Sequence, residues 1–184
     1  SISAYCGAMG VALGTMVANL SAHKRGWDDK WEEYSKWAEK GISYQNQLLN
    51  LVDEDTNAFN QIMNAYSLPK ESENDISKRN KSIQDATKNA ILVPFKIMKT
   101  SFDSMQIMKK MAEIGNPNSI TDAGVGALCA RTAVFGAFLN VKINCNDYDD
   151  INYVNEILSK GQKIVDKCCQ VEQDILKIVN QKIN

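Results

Sequence analysis

Between Trp27 and Leu68 the chain runs for about forty residues without a proline, and its apolar side chains recur at three- and four-residue spacings. Trp27, Trp31, Tyr34, Ala38, Ile42, Gln45, Leu48, Val52, Asp55, Phe59, Ile62 and Tyr66 hold one face with few lapses. Asp28 or Asp29 can serve at the start of this helix, and Pro69 ends it. At a rise of 1.5 Å per residue the segment is about 60 Å long. A helix of that length outruns a small globular core and takes its stability from partners along its sides. The segment therefore predicts a bundle of long helices that is dimeric or larger.

Four further segments keep a helical period. Ile2 to His23 carries Ser3, Gly7, Gly10, Gly14 and Val17 on one face, a strip that lets another helix approach closely. Each glycine there costs roughly 1 kcal/mol against alanine, a loss that close packing has to offset. Glu73 to Ile114 contains Pro94, which lacks an N–H and predicts a kink or a break. The next segment begins near Ser119, with Asp122 three residues on in a capping-box relation. It continues through Val125, Leu128, Val134, Phe135, Phe138 and Val141, apolar on every side, and is expected to be the central helix. Asp150 to Lys182 is amphipathic through Ile157, Ile164, Cys168, Val171, Ile175 and Ile178. No run alternates like a strand. The expected fold is all-α: five or six helices, the long amphipathic ones packed around an apolar central helix, in one domain over residues 1–184.

Composition narrows the functional classes. With 44% hydrophobic and 23% charged residues, 184 residues suit one folded domain and exclude a disordered tail. Lys and Arg number 21 against 22 Asp and Glu, so no overall field gathers nucleic acid. Cysteines 6, 129, 145, 168 and 169 are odd in number and two adjoin, which fits unpaired thiols in a reducing cytoplasm. Cys168 and Cys169 read as packing residues. Ser1–Leu20 and residues 123–141 approach the length of a membrane span, but Ala, Gly, Ser and Thr dominate both and Arg131 interrupts the second. Helices of a soluble bundle fit better than spans. The opening also lacks the basic start of a signal peptide. His23 is the only histidine, and the chain has no CxxC, HExxH, phosphate-binding loop or dinucleotide fingerprint, so neither metal nor nucleotide cofactor is expected.

Several polar residues stand out. Asp55 occupies an apolar position between Val52 and Phe59. A carboxylate there has to be hydrogen-bonded, paired or raised in pKa, and it serves either as an acid–base group or as an acid tying two helices. Asp53 lies on another face with Asn57, Asn60 and Asn64, a stripe that either meets solvent or lines a polar groove. The link Gly115-Asn116-Pro117-Asn118-Ser119 offers backbone N–H groups to an acceptor or simply makes a turn. Asn140 and Asn144, four apart, either project together toward a heterocycle or terminate their helix. Arg131 either pairs with a buried acid or leaves at the bundle edge, and Lys70 either attracts an anion or is a solvated loop residue.

These blocks, taken in order, resemble the cyclodeaminase domain of formiminotransferase-cyclodeaminase and the stand-alone bacterial cyclodeaminase/cyclohydrolase proteins. Ser1-Ile2-Ser3-Ala4 with Gly7-Ala8 and Gly10 resembles the segment just after a glycine-rich stretch in that family, and such a stretch is then expected to precede Ser1. Leu51-Val52-Asp53-Glu54-Asp55 with Ala58-Phe59 is similar to the family's acidic helix block, and Leu68-Pro69-Lys70 to the turn after it. Gly115 to Ser119 with Asp122 resembles the link into the central helix, and Gly136-Ala137, Asn140-Val141 and Ile143-Asn144 its end.

The resemblance implies an all-helical, dimeric fold and conversion of 5-formiminotetrahydrofolate to 5,10-methenyltetrahydrofolate and ammonia. Hydrolysis of 5,10-methenyltetrahydrofolate is the alternative on the same scaffold, and a non-catalytic helical dimer the alternative outside enzymes. It further implies proton transfer by Asp55 or Asp53, with Asp122 as a second carboxylate. Ser1, Asn116, Asn118, Asn140 and Asn144 are implied in folate binding, with Lys70 at the glutamate tail. No metal and no cofactor beyond the folate substrate is implied. Nothing resembles the transferase domain, so a separate formiminotransferase is the expected source of substrate.

Overall fold

The computed structural model describes residues 1–183, except the side chain of Asp28. Five helices account for most of it: α1 (Ile2–Ala22), α2 (Trp31–Tyr66), α3 (Glu73–Ile114), α4 (Ile120–Cys145) and α5 (Ile151–Ile183). The expected cap at Asp28 falls outside the described side chains. A short 3-10 turn over Asp28–Lys30 leads into α2, which has no side-chain cap, and Glu32 and Glu33 complement its positive end. α3 has the stronger start. The Asp75 N–H donates to Ser72 Oγ at 3.1 Å and the Ser72 N–H to Asp75 Oδ2 at 3.2 Å, a full capping box. The helix continues through Pro94 without a break, because the proline is buried among packed neighbours that hold the chain helical. Ser119 and Asp122 form no capping box. The Asn118 N–H donates instead to Asn116 Oδ1 at 3.1 Å, in a 3-10 turn that enters α4.

Close backbone approach organises the centre. α1 runs antiparallel to α4, and their nearest point is Gly10 against Gly126: a Cβ on Gly10 would lie 2.7 Å from the Gly126 carbonyl oxygen, and the reverse also holds. Gly14 meets Met108 and Ile107 of α3, and Gly7 meets Leu48 of α2. The glycine strip is thus spent on three neighbours. Around it Val11, Val17, Ile97, Met105, Ile107, Met108 and Met111 are fully buried. Because backbone opposes backbone at Gly126, Gly126→Ala is expected to destabilise the fold by about 1–3 kcal/mol, measured by urea unfolding.

Two expectations shift. Tyr34, Ala38 and Leu48 of the expected α2 stripe are buried, but from Leu51 onward the buried line is Leu51, Ala58 and Ala65, seven residues apart, while Val52, Asp55 and Ile62 flank it half-buried and Phe59 and Tyr66 are exposed. Val52, Phe59 and Tyr66 each follow a seam residue by one position, about 100° around the helix, which turns them away from the bundle. α4, in turn, is not buried all round. It leaves Val125, Leu128, Phe135, Leu139 and Ile143 exposed, and α1 leaves Ile2, Tyr5, Met9, Met16 and Leu20. These two helices are long and apolar enough to cross a membrane by length and composition, and half of each apolar window is buried inside the bundle.

Candidate functional site

One end of the bundle gathers the half-buried polar groups. α2 contributes Asp55, Ala58, Phe59 and Ile62, α3 contributes Ala90, and α4 contributes Asn140 and Asn144; together they line a cleft of about 180 Å³. Asp55 reaches it because it flanks the Leu51–Ala58 seam, and its side chain retains 30% exposure. The backbone nitrogen of Ser1 lies 3.9 Å from Asp55 Oδ2, which puts the start of α1 at the same place. Ser1 Oγ accepts from the Ala4 N–H at 3.5 Å as the cap of α1. Asn144 donates from Nδ2 to the Ala90 carbonyl at 2.7 Å, and Asn140 is exposed at the mouth. Phe59, 61% exposed, adds an apolar ring beside the carboxylate. A carboxylate, two carboxamides and an uncovered aromatic ring suit a planar polar heterocycle.

The remaining candidates lie elsewhere in the chain. Asp53 is exposed and Asp55 turns inward, since residues two apart point to different sides of a helix. Asp122 is 18 residues from Asn140 along α4, about 27 Å at the helical rise. Asn116 and Asn118 share its end of the bundle, where the Asn116 N–H donates to Ser21 Oγ at 2.8 Å. One chain therefore does not bring Asp122, Asn116 or Asn118 to Asp55. Lys70 is exposed in the α2–α3 link. Asn64 lines a separate groove with Gln61, Leu68, Ser82 and Asp85, while Asn57 and Asn60 face solvent. Arg131 takes the pairing alternative: its Nε lies 3.6 Å from Glu172 Oε2, a carboxylate otherwise buried, and its guanidinium sits 4.7 Å from the Phe135 ring centre.

Phe59 and the Ala90 carbonyl join the site without having been site candidates, although Phe59 belongs to the acidic helix block. Phe59 carries no signal there beyond its apolar character. The carbonyl does have one, because Pro94 four residues on cannot donate to it. Cys168 packs 3.5 Å from Met105 Sδ, and burial, aided by Cys169 and Glu172 against Arg131, pushes its thiol up to about 12. Such a thiol is inert at neutral pH. Among the described residues no group of three His, Cys, Asp or Glu side chains could hold a metal ion.

Asp103 lies in a second groove with Gln106, Lys109 and Val171, and burial raises its carboxyl above the usual range although Lys99 pulls it down. A carboxyl raised on folding favours the protonated native state. Its contribution to stability is present below the unfolded carboxylate range and is lost as pH rises through the raised native value. Asp103→Asn is therefore expected to raise Tm modestly at neutral pH, the gain vanishing in acid, as followed by thermal melts across pH.

These features define a class, the all-α domain whose long helices frame a small carboxylate–carboxamide cleft. Residues 1–163 match the family model described as formiminotransferase-cyclodeaminase, and the chain belongs to that family. It is 31% identical over 182 residues to the methenyltetrahydrofolate cyclohydrolase of Methylorubrum extorquens, covering 99% of this chain and 88% of that protein. It is also 31% identical over 150 residues to the formimidoyltransferase-cyclodeaminase of Rattus norvegicus, covering 82% of this chain but only 28% of the longer protein. The crystal structure of formiminotetrahydrofolate cyclodeaminase from Thermotoga maritima superposes with a TM-score of 0.81 at 27% identity, covering 100% of this chain and 87% of that one.

Proposed function

We propose that this protein is a formimidoyltetrahydrofolate cyclodeaminase that closes 5-formiminotetrahydrofolate to 5,10-methenyltetrahydrofolate and releases ammonia. The observation that carries the reading is the convergence of Asp55, Asn140 and Asn144 on one cleft, in a family whose members act on folates by their names. N10 attacks the amidine carbon, a new C–N bond forms, and the bond to the formimino nitrogen breaks. Asp55, directly or through a water, takes the N10 proton and passes it to the departing nitrogen, which takes a second proton from solvent and leaves as ammonia, the positive charge staying on the methenyl product. Asn140 and Asn144 orient the folate, and Phe59 offers a face on which an aromatic ring stacks. The reaction as proposed uses proton transfer and orientation alone, with no resident metal or redox group. The free cysteines support a reducing, cytoplasmic setting.

The functional unit we propose is a dimer through the exposed faces of α1 and α4. Ten of the twenty large apolar side chains left exposed among the described residues lie on these two helices. α1 and α4 pack side by side, and monomers rarely leave so many large apolar side chains uncovered on neighbouring helices. Charge supports a second copy as the occupant. α1 carries no charged residue, and α4 carries Asp122 near one end, Lys142 near the other and, between them, Arg131, which is paired within the chain with Glu172. An antiparallel two-fold pairing of α4 sets each Asp122 at the axial level of the other copy's Lys142, the two side chains leaving different sides of the helix. It also brings Asp122 to the axial level of the other copy's Asn140, which is how this carboxylate would serve the cleft.

Hydrolysis of 5,10-methenyltetrahydrofolate is the second reading, favoured by the Methylorubrum relative that spans nearly the whole chain. There Asp55 would activate water in place of N10. Assaying the purified protein on both folates tests the proposal: ammonia and 5,10-methenyltetrahydrofolate from the formimino substrate support it. Hydrolysis alone selects the second reading, and turnover of neither defeats both.

A further inference from the structure

Pro94 sits inside a 42-residue helix, where a proline ordinarily costs stability by removing a backbone bond and crowding the carbonyl four residues earlier. That carbonyl belongs to Ala90, a residue that lines the Asp55 cleft. Buried carbonyls require a donor. Asn144, from the end of α4, supplies one, its Nδ2 lying 2.7 Å from the Ala90 oxygen. A carbonyl oxygen only accepts, so the Asn144 amide is held with its NH₂ toward Ala90 and its Oδ1 unspent.

We propose that Pro94 is a positioning residue for the cleft: it leaves the Ala90 carbonyl open, Asn144 fills it, and Asn144 thereby becomes a fixed hydrogen-bond acceptor for the ligand. The inference rests on the folate reading of the cleft and deepens it. The part of the substrate at Asn144 is an N–H edge, such as the amide-like ring edge and amino group of the pterin or an amidine N–H, and not a carbonyl. With a normal helical residue at position 94, the Ala90 carbonyl would be taken by the backbone. Asn144 would then rotate freely and offer donor or acceptor alike.

Pro94→Ala is expected to keep or raise Tm, because the helical bond returns, while KM rises about three- to tenfold with kcat little changed, the pattern of a lost binding contact made equally in ground and transition states. Asn144→Asp supplies the sharper test. A carboxylate cannot donate to Ala90, so in the Pro94 background kcat/KM is expected to fall about tenfold to a hundredfold. In the Pro94→Ala background the backbone satisfies Ala90, the carboxylate keeps its acceptor role, and the same change is expected to cost no more than about threefold. An equal loss in both backgrounds overturns the proposal.

Should Asn144→Asp fail to fold, the side-chain amide of Asn144 in wild type and Pro94→Ala decides the matter by ¹⁵N NMR. Slow amide exchange that becomes fast in Pro94→Ala supports the coupling, and unchanged exchange overturns it. That readout needs no turnover, so an inactive wild type would defeat the folate reading while the amide exchange still reports on Pro94.

Discussion

Asp55→Asn is expected to lower kcat by about 10²- to 10⁴-fold, the range a positioned proton-transfer group contributes. Asparagine keeps the size of the side chain and its polar contacts but cannot accept a proton at the working pH. Asp55 is only half-buried and flanks the Leu51–Ala58 seam without filling it. Thermal unfolding and oligomeric state should therefore stay close to wild type. A loss of turnover together with a lower Tm would instead mark Asp55 as an acid that ties helices. Unchanged turnover would remove it from the chemistry.

Leu139→Arg is expected to produce the second large effect. Leu139 is 66% exposed on the apolar face of α4, so the change costs the folded single chain little. In a dimer the same position is covered, and an unpaired guanidinium buried in the interface is costly. Light scattering on the purified variant should show a monomer with a wild-type circular dichroism spectrum. If each Asp122 serves the other copy's cleft, turnover is lost along with the dimer. A variant that remains dimeric would place the interface elsewhere, and a fully active monomer would confine the chemistry to one chain.

Much of the architecture was legible because helical periodicity and punctuation are local. Pro69, the Gly115–Ser119 link and the absence of alternating runs set the helices to within a few residues of their ends. The glycine strip of α1 was legible for the same reason, and it meets the backbone of α4 at Gly126. Pro94 was less so. The missing N–H is a local fact, but whether the helix breaks depends on neighbours that bury the ring, and they lie far away in sequence. Asp122 and Asp55 illustrate the same limit. Both stand out by type and position, yet their separation along the bundle comes from the direction in which α4 runs. Asn140 and Asn144 fared better, since a spacing of four keeps two side chains on one face wherever the helix is packed. That Phe59 faces the cleft comes from tertiary geometry, because it sits one position past the seam residue Ala58.

The central claim is that reduced folate sits with its reacting nitrogens at Asp55. A crystal structure with a 5-substituted tetrahydrofolate that cannot cyclise tests this directly. The ligand is expected in the cleft of Asp55, Asn140 and Asn144, with the Asp55 carboxylate about 2.6–3.2 Å from the N10 nitrogen or joined to it through one water. A folate bound in the groove of Gln61 and Asp85, or anywhere that leaves Asp55 facing solvent, would contradict it.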